Sequence, residues 1–89
     1  MAYLSKNLSV LAYANGFTLW HYTTADVSTD VDTTGYFNTA ADMLRLGDII
    51  MANTNTAVSP AAGLFVVRQN AAGVVDVTDM TAIGTANLD

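Results

Sequence analysis

The stretch that decides the fold is residues 35–52, which read GYFNTAADMLRLGDIIMA. Its apolar residues recur at i, i+3, i+4 and i+7, a spacing that puts them on one face of a helix: Phe37, Ala40, Ala41 and Leu44. Gly47 suits the left-handed position just past a helix end. The stretch therefore predicts a short amphipathic helix over residues 36–45, followed at once by a strand near residues 48–53.

The strongest strand signal lies upstream, in residues 17–24, which read FTLWHYTT. Aromatic and β-branched residues dominate this run, as is typical of strands. Alternation sends Phe17, Leu19 and His21 to one face and Thr18, Trp20 and Tyr22 to the other. Both faces carry large apolar groups, so we expect this strand to be central in a two-layer fold or half-buried against another subunit.

Two more strands are predicted downstream. Residues 63–69 contain four consecutive apolar residues, which indicates a strand buried on both faces. Residues 70–73 end in a glycine and form a hairpin turn signal, so residues 74–78 should return antiparallel. We predict a mainly β fold with one short α-helix, arranged as a small antiparallel sheet or barrel-like domain with an N-terminal arm.

A chain of 89 residues is one domain. We divide it into an N-terminal arm (residues 1–15), a small β-rich domain (residues 16–80) and a C-terminal tail (residues 81–89). The arm carries an apolar stripe at helical spacing, Leu4, Leu8 and Leu11, but residues 10–14 could equally be extended. Either form of the arm would suit contact with a neighbouring subunit.

Composition favours assembly over chemistry. The chain has no Cys and one His, so neither disulfides nor the usual structural zinc sites can supplement a small core. Only 12% of its residues are charged, against roughly 25% in an average globular chain, while 52% are hydrophobic. We therefore expect other chains to cover part of its surface in a homo-oligomer.

Charge and hydropathy exclude several partner classes from the prediction. The net charge of −5 argues against nucleic acid and against an anionic membrane. No apolar run approaches the ~20 residues that span a bilayer. The first residues do not form a basic region followed by a long apolar run, so we expect synthesis in a cytoplasm.

Two polar features are candidates for a metal site or a catalytic site. Carboxylates at Asp26, Asp30 and Asp32 could hold calcium, but this loop lacks the ligand spacing, the glycine and the terminal Glu of an EF-hand, and turn-forming Asp residues explain it as well. His21 has neither a nucleophile nor a catalytic partner beside it in the sequence, so we interpret it as a half-buried strand residue. We predict no catalytic residue, no metal site and no cofactor.

Aromatic and acidic pairs leave a more remote alternative, a small carbohydrate-binding module or hydrolase. Trp20 with Tyr22, or Tyr36 with Phe37, could stack on a sugar, although aromatic residues are equally typical of cores and interfaces. For a hydrolase, the nearest pair of carboxylates would be Asp76 and Asp79.

Three segments together resemble a group of short tailed-bacteriophage proteins that are typically encoded beside the major capsid gene. The segments are residues 15–22 (NGFTLWHY), 32–37 (DTTGYF) and 44–50 (LRLGDII). In that group an F-x-L-W-x-Y strand precedes a D-T-x-G-Y-F turn and an L-x-x-G-D-x-I joint. The resemblance covers most of the chain, about residues 15–80.

The resemblance implies a structural virion protein with no enzyme activity. The form expected is a capsid decoration (cement) protein that binds the outer capsid surface and stabilises the shell; the alternative is a head-fibre or spike base, or a tail-associated adaptor. It implies the major capsid protein and further copies of the chain as partners, a trimer, synthesis in the host bacterial cytoplasm and a place on the capsid exterior. The residues predicted to form the oligomer or capsid interface are Tyr3, Leu4, Leu8, Leu11, Tyr13, Trp20 and Tyr22.

Overall fold

The computed structural model describes residues 3–84, which form six strands and three short helical turns. The strands are β1 (Leu8–Ala14), β2 (Phe17–Thr23), β3 (Ile49–Thr54), β4 (Ala61–Ala71), β5 (Val74–Val77) and β6 (Thr81–Ile83). The helical turns are a 3-10 turn at Ser5–Asn7, the four-residue helix α1 (Ser28–Val31) and a 3-10 turn at Asn38–Ala40. Within these residues no helix is long and apolar enough to cross a membrane.

The strands form one mixed sheet in the order β1-β2-β3-β4-β5, with β6 also paired to β4. The pairs are antiparallel except β2 with β3, which run parallel. A parallel pair needs a long crossover, and residues 24–48 provide it. The prediction of a mainly β domain with one short helix is confirmed, and the sheet is open, with β1 at one end of the strand order.

The four predicted strands are present with small shifts at their ends. The turn between β4 and β5 uses Ala72 and Gly73, both at positive φ (55° and 79°), which matches the hairpin signal. The predicted tail contributes β6, and its last residues, 85–89, lie outside the described part of the chain.

The N-terminal segment is extended, which was one of its two predicted alternatives, and from Leu8 it is part of the sheet. β1 pairs with β2 from Leu8 to Ala14 through a tight hairpin, with a register shift between Val10 and Ala12. The turn residues Asn15 and Gly16 both have positive φ (52° and 85°), the geometry that the Asn-Gly dipeptide favours. Residues 1–2 of the predicted arm lie outside the described residues.

The sheet has two unlike faces, and we call the covered one the front face. Crossover residues 24–47, the covering segment, pack on it and contribute Val31, Phe37, Ala40 and Leu44 to the core. The sheet contributes alternate residues of its strands: Trp20, Tyr22, Ile50, Ala52, Phe65, Val67, Val75 and Val77. The core therefore lies between one face of the sheet and a layer made mostly of turns.

The prediction of a helix over residues 36–45 is wrong. These residues form successive turns with one 3-10 turn, although Phe37, Ala40 and Leu44 are buried as expected. Most local backbone bonds span three residues, for example from Ala40 N–H to Phe37 O. Side chains from β4 and the covering segment replace the missing helical bonds, because the Asn70 amide donates to the carbonyls of Ala41 and Leu44.

Candidate interaction surface

A buried carboxylate joins the covering segment to the sheet. Asp48 is 1% exposed and accepts three hydrogen bonds, each at 3.1 Å: from Thr18 N–H on Oδ1, and from Trp20 Nε1–H and Arg45 N–H on Oδ2. A buried charge needs such partners, since the desolvation of an unpaired carboxylate is unfavourable by several kcal/mol. Asp48 therefore fixes where the crossover ends and where β2 begins.

A second polar chain ties the N-terminal segment to the core. Tyr36 O–H donates to Asp26 Oδ2 at 2.6 Å, so its oxygen accepts from Tyr22 O–H at 2.9 Å. Tyr22 in turn accepts from the N–H of Leu4 at 3.2 Å. Burial, followed by the hydrogen bond to Asp26, raises the pKa of Tyr36 above its ordinary value. These phenols are neutral structural links at physiological pH.

Aromatic rings complete this anchor. Tyr3 stacks on Tyr22 with ring centroids 5.6 Å apart and meets Phe37 edge-on at 5.4 Å. Burial, and then the nearby Tyr22, raise the pKa of Tyr3. Of the rings proposed as a sugar platform, Tyr22, Tyr36 and Phe37 pack against one another. Trp20, Tyr22 and Phe37 are buried.

The β1 strand and the segment before it carry exposed apolar side chains. Leu4, Val10, Leu11 and Tyr13 are 47%, 55%, 53% and 62% exposed, and we call these four residues the edge patch. Three of the four lie on β1, which is the end strand of the sheet. Several exposed apolar residues on one end strand of a small domain are typical of a binding surface.

The back face of the sheet, opposite the covering segment, is also apolar. Its central residues are half-buried and lie side by side on β2, β3 and β4: Leu19, Ile49, Met51, Leu64 and Val66. The four consecutive apolar residues of β4 predicted burial on both faces. In the single subunit Phe65 and Val67 are buried, but Leu64 and Val66 remain half-exposed.

His21 lies on the back face beside Met51. Its Nε2 is 3.1 Å from the side-chain amide of Asn53, which can only donate through that nitrogen, so Nε2 accepts. His21 is thus a half-buried strand residue, as interpreted from the sequence, and its partner Asn53 lies on the neighbouring strand β3.

The fold separates the acidic residues that the sequence analysis considered together as a calcium site. Asp26 is buried against Tyr36, whereas Asp32 lies near Asp79 and Asp76 at the β5 end of the sheet. Burial, then the charge of Asp79 and a hydrogen bond to it, raise the pKa of the Asp32 carboxyl. Within residues 3–84, no three His, Asp or Glu side chains are grouped so that they could hold a metal ion.

The predicted interface residues divide into three groups. Leu4, Leu11 and Tyr13 belong to the edge patch, whereas Tyr3 and Leu8 are half-buried and pack against the core. Trp20 and Tyr22, at 6% and 0% exposure, lie inside the subunit core and present no surface. Sequence reasoning missed the role of Asp48, whose partners Thr18 and Trp20 are 30 and 28 positions away, and no local signal could have found it.

Comparison of the chain with protein-family models, with curated proteins and with solved structures gave no match.

Proposed function

We propose that this protein is a structural virion protein, a capsid decoration protein that binds the outside of a tailed-phage capsid and assembles with copies of itself. The observation that carries the proposal is the edge patch, an exposed apolar surface on a chain with only 12% charged residues. The sequence resemblance to short phage proteins supplies the capsid as its target. The role is binding and not catalysis.

Stabilisation of the shell would follow from buried area. A specific interface buries about 800 Å² on each partner, and a subunit that touches two capsid proteins adds such area across their joint. Repetition around a symmetry axis, for which the resemblance favours a trimer, strengthens attachment by raising the effective concentration of each contact. The negative charge of the chain would complement basic shell patches, a minor effect at physiological salt.

Co-sedimentation with empty phage shells tests the edge patch. The double variant Leu11→Ser with Tyr13→Ser removes apolar area from two residues that are more than half exposed. We expect at least tenfold weaker binding to shells with little change in folding. Val58→Ser is the matched control, because Val58 is 83% exposed in the loop between β3 and β4. Equal binding by the double variant and the wild type would contradict the assignment.

The alternative within the virion is a head-fibre or spike base, or a tail-associated adaptor. It would use the same apolar surface but a different place on the particle. The number and positions of copies per particle distinguish these roles.

A further inference from the structure

The back face forms a regular apolar surface that residues 3–84 leave partly exposed. Strand pairing aligns its residues in three rows, of which the first is Leu19, Ile49 and Val66, the second His21, Met51 and Leu64, and the third Thr23, Asn53 and Ala62. The buried residues of the covering segment belong to the front-face core. The first two rows are therefore apolar at their centres, and the third row adds polar side chains at one margin of the face. Such an apolar centre with a polar margin is typical of an interface.

The distribution of charge indicates which partner could pack on the back face. None of the described residues in these three rows is an Asp, Lys or Arg. Carboxylates lie instead in the covering segment, at the buried Asp48, and at Asp76 and Asp79 beside the β5 end of the sheet. For a chain of net charge −5, these three rows are thus the part of the back face on which a second copy can pack without placing carboxylates opposite carboxylates. Asp76, whose neighbours Val75 and Val77 face the core, lies on the same side of the sheet at its β5 end.

The size of the face suits self-association of moderate strength. Five strands, β1 to β4 and β6, at a spacing of ~4.8 Å, and strand segments of about five residues give a face of roughly 24 by 20 Å, about 500 Å². Standard interfaces bury about 800 Å² on each partner, and weaker ones less than about 600 Å². We expect a dissociation constant on the order of micromolar.

The edge of β1 is a poorer place for copies to join. A strand edge associates by extending the sheet, which needs an unbroken row of backbone groups. The register of β1 shifts between Val10 and Ala12, and such a bulge interrupts pairing. Face-to-face packing requires no free edge.

We propose that two copies of this chain associate through their back faces, packing sheet on sheet about 10 Å apart. Because both copies contribute the same face, the contact is two-fold and joins pairs, in place of the trimer that the resemblance favours. The inference deepens the proposed assembly role and rests on it, because it assigns self-association to the back face and leaves the edge patch for the shell. Burial of Leu64 and Val66 in this contact would give β4 the two buried faces that its sequence predicts.

Analytical ultracentrifugation of the purified chain from about 1 to 300 μM tests the proposal. We expect the wild type to form oligomers and Met51→Lys to associate at least tenfold more weakly, because the new charge lies in the central row. Leu46→Lys is the matched control: it makes the same change of charge at a residue that is 67% exposed in the covering segment, and it should associate like the wild type. Thermal unfolding shows whether each variant is folded. If Met51→Lys does not fold, the uncharged variant Met51→Gln replaces it, and we expect Met51→Gln to weaken association severalfold.

Two results would overturn the proposal. One is a wild type that remains monomeric at the highest concentration. The other is a folded back-face variant, Met51→Lys or its replacement Met51→Gln, that associates as well as the wild type; loss of association in Val10→Lys alone would then place the contact at the β1 edge. Shell binding is measured separately. If back-face variants lose self-association but the wild type does not bind shells, the inference stands and the proposed function fails.

Discussion

At the scale of single residues, the fold depends on a few buried polar groups that bridge distant parts of the chain. Asp48 accepts hydrogen bonds from β2 and from the end of the covering segment. Tyr36 connects Asp26 to Tyr22, which holds the N-terminal segment through Leu4. In each case a side chain fixes the relative position of two segments that have no backbone pairing at that point.

Replacing Asp48 by Asn should destabilise the subunit by about 2–3 kcal/mol. The amide keeps one acceptor oxygen, and its NH₂ group would face buried N–H donors, so at least one donor loses its partner. Chemical unfolding followed by the fluorescence of Trp20, the single Trp, measures the free energy of unfolding. Asp42→Asn, at an exposed position of the covering segment, is the control and should change it by less than about 0.5 kcal/mol. Equal stability of the two variants would show that Asp48 does not have this role.

Asp32→Asn should stabilise the protein at neutral pH. The pKa of Asp32 is raised in the folded state by burial and by Asp79, so its contribution to stability is fully present below the pKa of the unfolded chain and is lost as the pH rises through the folded pKa. Because Asp32 is only half-buried, screening by solvent limits the gain to about 0.2–1 kcal/mol.

Thermal unfolding of Asp32→Asn and wild type from pH 3 to 7 tests this sign. The difference in stability should be near zero at the acidic end and should grow as the pH rises above about 4. A variant that is less stable than the wild type at pH 7 would contradict the repulsion between Asp32 and Asp79.

At the scale of elements, sequence periodicity predicted strands better than the helix. β2, β3, β4 and β5 follow from their aromatic and β-branched runs, and the Asn15-Gly16 dipeptide contains the signal for the β1 hairpin. The predicted helix failed because a spacing of three and four residues is also met by successive 3-10 turns. Asn38 and Asn70 stabilise those turns from a distance, and such bonds leave no local pattern in the sequence.

The candidate surfaces were only partly predictable, because strand alternation shows which residues share a face but not which face is covered. Alternation in β2 correctly separated Leu19 and His21 from Trp20 and Tyr22, and both faces were expected to be covered. Which face the subunit covers depends on the path of residues 24–47, and that path is set by long-range contacts. The exposure of Leu11 and Tyr13 likewise depends on the position of β1 at the end of the sheet.

The turn-rich covering segment should tolerate charge only on its outer side. Leu44 is 2% exposed, so Leu44→Asp places an unpaired carboxylate in the core and should reduce stability by several kcal/mol, enough to unfold so small a domain. Leu46→Asp is the matched control at 67% exposure and should fold normally. Circular dichroism during heating compares them; an unchanged midpoint for Leu44→Asp would contradict the core assignment.

At the scale of the whole molecule, the subunit is a half-covered sheet. One layer of turns protects the front face, the back face is apolar without charge in its three central rows, and the edge patch adjoins the β1 hairpin. A small domain with two such surfaces gains stability through association, since its own core is limited in size. We propose that the back face joins copies and that the edge patch binds the shell.

Cryo-electron microscopy of shells saturated with the protein tests the central claim most directly, because it counts the bound copies and locates them. A decoration protein should occupy symmetry-related sites over the whole outer surface, with more than one copy at each site. The double variant Leu11→Ser with Tyr13→Ser should leave most of these sites empty under the same conditions. Density confined to a single vertex would contradict the decoration role and favour a fibre base or adaptor, and shells without bound protein would contradict capsid binding altogether.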